Sequence, residues 1–351
     1  MSENSKALSK PDAKYDLVKF FLSLLVLAIH TKLYSMILYP WLRIAVPLFF
    51  MISAYFLFSK MRDASPDKQK VMLKKFVIRN LQLYFSWFVI LLPMTIYLRK
   101  EQYFSGGFLE NAWAILRSIL FGSSFVASWF IMATIIGVLI IYWLCRILKK
   151  DLFVLVISLV VFCIVTLASS YESVIANTFL FTAITKYKAV FGSFVCSFPA
   201  ALFWVFIGKL CAEQKLRFKS TGLLIALIIC SCGALFAEWK FVISLDGSYN
   251  NDSYFMLAPL CVLLFLGIQK IKPTYWGNSV YLRRLSTIIY VTHGSLIPIA
   301  GKLISIFIKV KISFLPFLVT LLGSVAIYLF IEIINKKCSS KRIGKILSML
   351  Y

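Results

Sequence analysis

YDLVKFFLSLLVLAIH, the run from Tyr15 to His30, decides the fold. Twelve of its sixteen residues are apolar, and continued to residue 36 it makes one long hydrophobic stretch. A helix needs about 20 mostly apolar residues to cross roughly 30 Å of hydrocarbon. Residues 1–15 are polar and carry neither an apolar signal region nor a small-residue cleavage site, so the run at 16–36 reads as a retained crossing. Nine further runs follow, at roughly 40–58, 77–98, 128–147, 152–169, 189–210, 221–243, 254–271, 285–307 and 313–335. The stretch from Phe108 to Phe121 lies between Gly106-Gly107 and Gly122-Ser123-Ser124 and is too short to cross; it reads as an amphipathic or re-entrant helix. The expected fold is an all-α integral membrane protein of about ten transmembrane helices. It forms a single domain over 1–351 with cytoplasmic tails at 1–15 and 336–351.

Composition agrees. The 351 residues are 61% hydrophobic and 15% charged, against about 45–50% and about 25% in soluble domains. A soluble fold of this length has no means of hiding that much apolar surface. The same figures exclude a disordered chain, and eight Cys without a CxxC pair exclude a disulfide-built scaffold and read as reduced structural thiols. A net charge of +24 suggests nucleic acid at first sight, but the positions of the basic residues point elsewhere. With the N-terminus inside, 25 of the 38 Lys and Arg fall on the cytoplasmic side. Eight lie outside: Lys32, Arg99, Lys100, Arg117, Lys186, Lys188, Lys309 and Lys311. That asymmetry alternates loop by loop, orients the helices and predicts both termini in the cytoplasm. No stretch of about 50 polar residues remains for a soluble domain, and no internal repeat is seen.

Ionisable groups inside crossings are costly and default to functional candidates. Lys19 and His30 are eleven residues apart, which at about 100° per residue brings them within about 20° of one helix face, with a rise of about 16 Å. Lys19 is expected near the cytoplasmic surface, His30 past mid-depth, and Asp16 one turn before Lys19 is placed to pair with it. His293, the only other histidine, shares a face with Tyr290 at i, i+3. Lys75 and Arg79 are four apart at the cytoplasmic entrance of the third crossing, and Arg there suits bidentate phosphate binding. Arg43 and Pro47 open the second crossing, with Ser53 able to refill a backbone bond that Pro47 frees. Glu332, near the inner surface, reads as an ion-pair partner. Tyr34, Trp41, Tyr103 and Trp113 near the outer surface read as interface anchors rather than sugar platforms. Two histidines without clustered carboxylates make no metal ligand set.

Taken in order, these residues resemble the membrane acyltransferase-3 family, integral-membrane O-acyltransferases of surface glycans. Asp16-x2-Lys19-x10-His30 resembles its first-span signature, Val46-Pro-Leu-Phe-Phe-Met-Ile-Ser53-Ala-Tyr-Phe its next motif, and Lys75-x3-Arg79 the basic pair opening its third span. Ser128-Trp129-Phe-Ile-Met-Ala is similar to its "LWFL-A-L" start of a later span, and Ile289-Tyr290-Val-Thr-His293 to its "YLxH" motif. Three positions depart from the pattern: Lys19 stands for the commoner Arg, Ala54 for Gly, and Ser128 where a His often precedes the Trp. The chain resembles the stand-alone form, without an appended extracellular esterase-like domain.

The resemblance implies an acyl-CoA donor, acetyl-CoA above all, reached from the cytoplasm, and an acceptor hydroxyl on a cell-surface or lipid-linked glycan. The basic groups Arg79, Lys75 and Lys19 fit the donor's phosphates, and His30 fits a general base or a transient acyl carrier. His293, Tyr290, Ser53 and Trp129 would either contact the substrate on the acceptor side or support the groups that do. A transporter or flippase for a lipid-linked glycan, or for another anionic solute, would use the same crossings and charges, but such folds often carry internal repeats and broken helices in matching halves.

Overall fold

The computed structural model describes residues 12–33, 36–122, 125, 128–247, 251–273, 278–307, 312–337 and 341–351. Tyr34, Ser123, Ser124 and the basic residues Lys6, Lys10, Lys309 and Lys311 lie outside them. Every regular element among the described residues is helical. Six helices are long and apolar enough to cross a membrane, or seven if one bent pair is a single crossing. The chain divides into two compact units, Met1–Tyr34 with Gly267–Tyr351, and Ser35–Leu266.

The first unit contains α1 (Ala13–Thr31) and, from the C-terminal part of the chain, three helices labelled below as α14 to α16. The expected crossing at 16–36 ends early. The α1 helix stops at Thr31, where Lys32 turns left-handed (φ 56°) and its N–H closes on the carbonyls of Ala28 and Ile29. His30 therefore sits in the last turn of its helix, with its side chain exposed on the surface of the protein.

The second unit holds α2 (Tyr39–Leu42), α3 (Ala45–Met61), α4 (Pro66–Ile90), α5 (Leu92–Phe104), α6 (Phe108–Phe121), α7 (Trp129–Leu148), α8 (Asp151–Ser170), α9 (Glu172–Ile175), α10 (Phe179–Phe191), α11 (Pro199–Ala212), α12 (Thr221–Asp246) and most of α13 (Leu257–Lys270). Pro47 falls in the first turn of α3, where its missing N–H costs nothing, so it leaves α3 whole. The expected crossing at 77–98 is broken instead: α4 and α5 meet at 80°. Pro93 has no N–H to give the Val89 carbonyl, and its ring excludes a straight continuation. The run at 189–210 is also split. Gly192 takes φ 87°, Pro199 restarts the chain as α11, and only 14 residues remain helical. The run at 254–271 likewise yields 14 residues, α13. Fourteen residues span about 21 Å, short of the roughly 30 Å of a bilayer core.

The α11 helix is the axis of this unit. Nearly every side chain on it is buried, and it packs against α3, α7 and α8. Gly208 makes the closest approach: a Cβ there would lie 2.6 Å from the Met51 carbonyl oxygen and 2.9 Å from the Ala54 Cβ. Lys209, on the same helix, is buried but neutralised by Glu213 (2.7 Å) and Asp151 (3.5 Å). Those carboxylates also hold Lys215 and push its ammonium well above the ordinary lysine range. The α6 helix has the expected bounds; Glu110 accepts the Gly107 N–H at 3.1 Å, and Asn111 bonds both ways with Gly106.

Candidate active site

In the first unit α14 (Ser279–Phe307) lies along α1, and α15 (Leu315–Lys337) packs on α14; α16 (Lys341–Ser348) follows. Two contacts fix the direction of the α1–α14 pair. Asp16 approaches Arg283, with Oδ1 and Nη1 3.9 Å apart, and the rings of His30 and His293 lie 4.9 Å apart, tilted by 41°. The early residues meet each other and the later residues meet each other, so the helices run parallel. The charged end and the imidazole end are about 15 Å apart along α14 and about 21 Å along α1.

His293 is completely buried. Its Nδ1 lies 2.6 Å from the Tyr290 carbonyl oxygen and 3.2 Å from that of Ile289. Two acceptors at one nitrogen require that nitrogen to carry the proton, so Nδ1–H donates and Nε2 keeps the lone pair. That Nε2 is buried and has no hydrogen-bond partner among the described residues, an uncommon state for a buried polar atom. The Tyr290 ring stands 6.0 Å from the imidazole. One residue before His293, the Thr292 hydroxyl bonds the Ile288 carbonyl and meets Ser324 of α15 at 3.0 Å, which locks this turn of α14 in place.

At the other end, Asp16 is buried and its Oδ2 accepts no hydrogen bond among the described residues, while Lys19 is half-buried on α1. The Asp16 ion contact to Arg283 adds a cation that the sequence places only in a cytoplasmic flank, before the expected crossing at 285–307. Beside it, Arg284 pairs with Glu332 at 2.7 Å, as expected of Glu332. The Tyr351 hydroxyl donates to Glu332 at 3.0 Å, and the Arg284 guanidinium stacks on its ring. Burial and the Glu332 carboxylate push the Tyr351 phenol well above its usual value.

Asp16, Lys19, His30, Tyr290 and His293 thus all belong to the first unit. Ser53, Lys75, Arg79 and Trp129 belong to the second. There Lys75 and Arg79 are exposed one turn apart on α4, Ser53 is half-buried on α3, and Trp129 opens α7 with its ring 6.1 Å from Phe50. Two sugar-platform candidates are engaged within the protein: Trp41 stacks on Phe236 and Tyr103 is buried, whereas Trp113 remains exposed. Arg43 pairs with Asp252 at 2.7 Å. Nearby, Glu238 accepts the N–H groups of Phe255 and Met256 at 2.7 Å each and the Tyr171 hydroxyl at 2.9 Å, an unforeseen anchor for the start of α13.

The sequence pattern of an acyltransferase domain, of the acyltransferase-3 type, matches residues 12–334. The chain belongs to the acyltransferase-3 family. No curated protein and no solved structure matches it. In this chain the buried His293 Nε2 keeps its lone pair, and the exposed His30 ring stands beside it.

Proposed function

We propose that this multi-pass membrane acyltransferase moves an acetyl group from cytoplasmic acetyl-CoA to a hydroxyl of a cell-surface or lipid-linked glycan. The observation that carries this reading is the His30–His293 pair, with one ring exposed and the other buried and fixed in tautomer. His30 takes the proton of the acceptor hydroxyl as its oxygen bonds to the acyl carbon; the carbon–sulfur bond breaks, and the proton passes to the CoA sulfur. Lys19, Lys75 and Arg79 are the proposed ligands of the donor's phosphates. Asp16 sets the charge of the cytoplasmic end with Arg283, and Tyr290, Ser53 and Trp129 act on the acceptor. The short helices α11 and α13 count as crossings in this reading, giving ten in the inner membrane with both termini cytoplasmic. The parallel run of α1 and α14 requires an odd number of crossings between them, which the seven of this count satisfy, as would five if α11 and α13 did not cross.

Membranes containing the protein, supplied with radiolabelled acetyl-CoA, test the reading. Label entering the glycan is the expected result. Label on the protein alone, lost in His30→Ala, would make His30 an acyl carrier rather than a base. No label anywhere, with glycan export dependent on the protein, would replace acyl transfer with transport.

A further inference from the structure

The second unit contains a cavity of about 250 Å³ that the acyl-transfer step does not use. It lies between α5, α6 and the turn after α10, and its lining includes Arg99, Gln102, Arg117, Ser118, Gly192 and Ser193. All are on the side that the Lys/Arg asymmetry assigns to the exterior. Two guanidinium groups therefore line one small space. Arg99 Nη1 bonds Gln102 Oε1 at 3.3 Å, and Arg117 Nη1 bonds the Ala189 carbonyl at 3.0 Å. Neither forms an ion pair with a carboxylate among the described residues, although each guanidinium has five donors to place.

Three acids of this region are committed elsewhere, while Glu101, next to Gln102 on α5, is exposed and forms no ion pair among the described residues. Glu172 holds Lys188 at 2.8 Å, Asp252 holds Arg43, and Glu110 caps its own helix. The backbone helps to shape the space. Arg99 itself departs from helical geometry (φ −122°, ψ 15°), and Gly192, at φ 87°, presents its Cα side to Arg117, where a Cβ would lie 3.9 Å from Arg117 Cδ and Nε. Two guanidinium groups that line one space without an ion-paired carboxylate favour an anion between them, since guanidinium forks are suited to carboxylate and phosphate oxygens. At about 30 Å³ per water the cavity holds about eight waters, room for one charged substituent and part of a sugar ring.

We propose that this cavity binds an oxyanion, the phosphate or carboxylate of a sugar residue in the acceptor glycan, and so selects anionic acceptors. The inference rests on the reading of the acceptor as an exterior glycan. Its test is a binding measurement, so its failure and that of acyl transfer remain distinguishable. The full chain in phosphatidylcholine nanodiscs is titrated with glucose 1-phosphate, glucuronate and glucose. Both anions are expected to bind at least tenfold more tightly than glucose, and Arg117→Gln or Arg99→Gln to remove that margin. Arg117→Lys, which keeps the charge and loses the fork, is expected to keep part of it. Lys100→Gln removes the same charge one residue outside the lining and is expected to change binding less than twofold. Equal binding of glucose, or an equal loss in Lys100→Gln, overturns the proposal. Loss of sugar binding in nanodiscs containing phosphatidylglycerol assigns the cavity to a lipid headgroup phosphate and also overturns it.

Discussion

At the residue scale, the proposed chemistry rests on two imidazoles and on a proton whose position the backbone sets. Tyr290 and Ile289 hold the His293 Nδ1–H, so replacing His293 by Gln, whose amide brings donors of its own, disturbs the lone pair beside His30. His293→Gln is expected to lower kcat about tenfold and leave KM for acetyl-CoA within about twofold, less than the 10²–10⁴-fold that general-base removal costs. Steady-state kinetics of the purified protein check this, and a changed KM with an unchanged kcat would contradict it. Arg79→Gln has the opposite signature, a KM for acetyl-CoA raised about tenfold at nearly constant kcat, which is the loss of one charge-assisted phosphate contact. Lys19, His30 and His293 stand out in the sequence because ionisable residues in apolar runs are conspicuous. The Asp16–Arg283 contact does not, since Arg283 lies in a loop-flank count and only folding brings the two ends of the chain together.

At the element scale, hydropathy located the helices but not their breaks. Apolar content is blind to Pro93, which bends α4 from α5, and to Gly192 with Pro199, which shorten α11. Helix contacts were equally hidden. Ala54, which departs from the family's Gly, faces Gly208 on α11, so the small residue that this crossing needs is supplied by the partner helix. Gly208→Ala forces α3 and α11 apart and is expected to cost about 1–3 kcal/mol. Ala54→Gly is expected not to restore it fully, because the Met51 carbonyl remains only 2.6 Å from the added carbon. Thermal unfolding of the single and double variants decides. Glu238→Ala removes three hydrogen bonds to a carboxylate, two of them from the first residues before α13. With charged hydrogen bonds at about 1.5–3 kcal/mol each, part of it recovered by water, a loss of about 3 kcal/mol is expected in the same measurement.

At the scale of the whole molecule, the proposed topology assigns most of the excess positive charge to orienting the helices and a smaller part to a donor entrance and an exterior cavity. Single-cysteine labelling from outside intact cells checks the orientation: a probe at Lys100 is expected to react and one at Lys215 to remain protected. The central claim, that acyl transfer is carried by His30 beside His293, is tested most directly on the purified protein in liposomes, by the rate at which label from acetyl-CoA enters the acceptor glycan. His30→Ala is expected to lower that rate by at least 100-fold while leaving the melting temperature unchanged. A His30→Ala protein that transfers label as fast as the wild type would contradict the account.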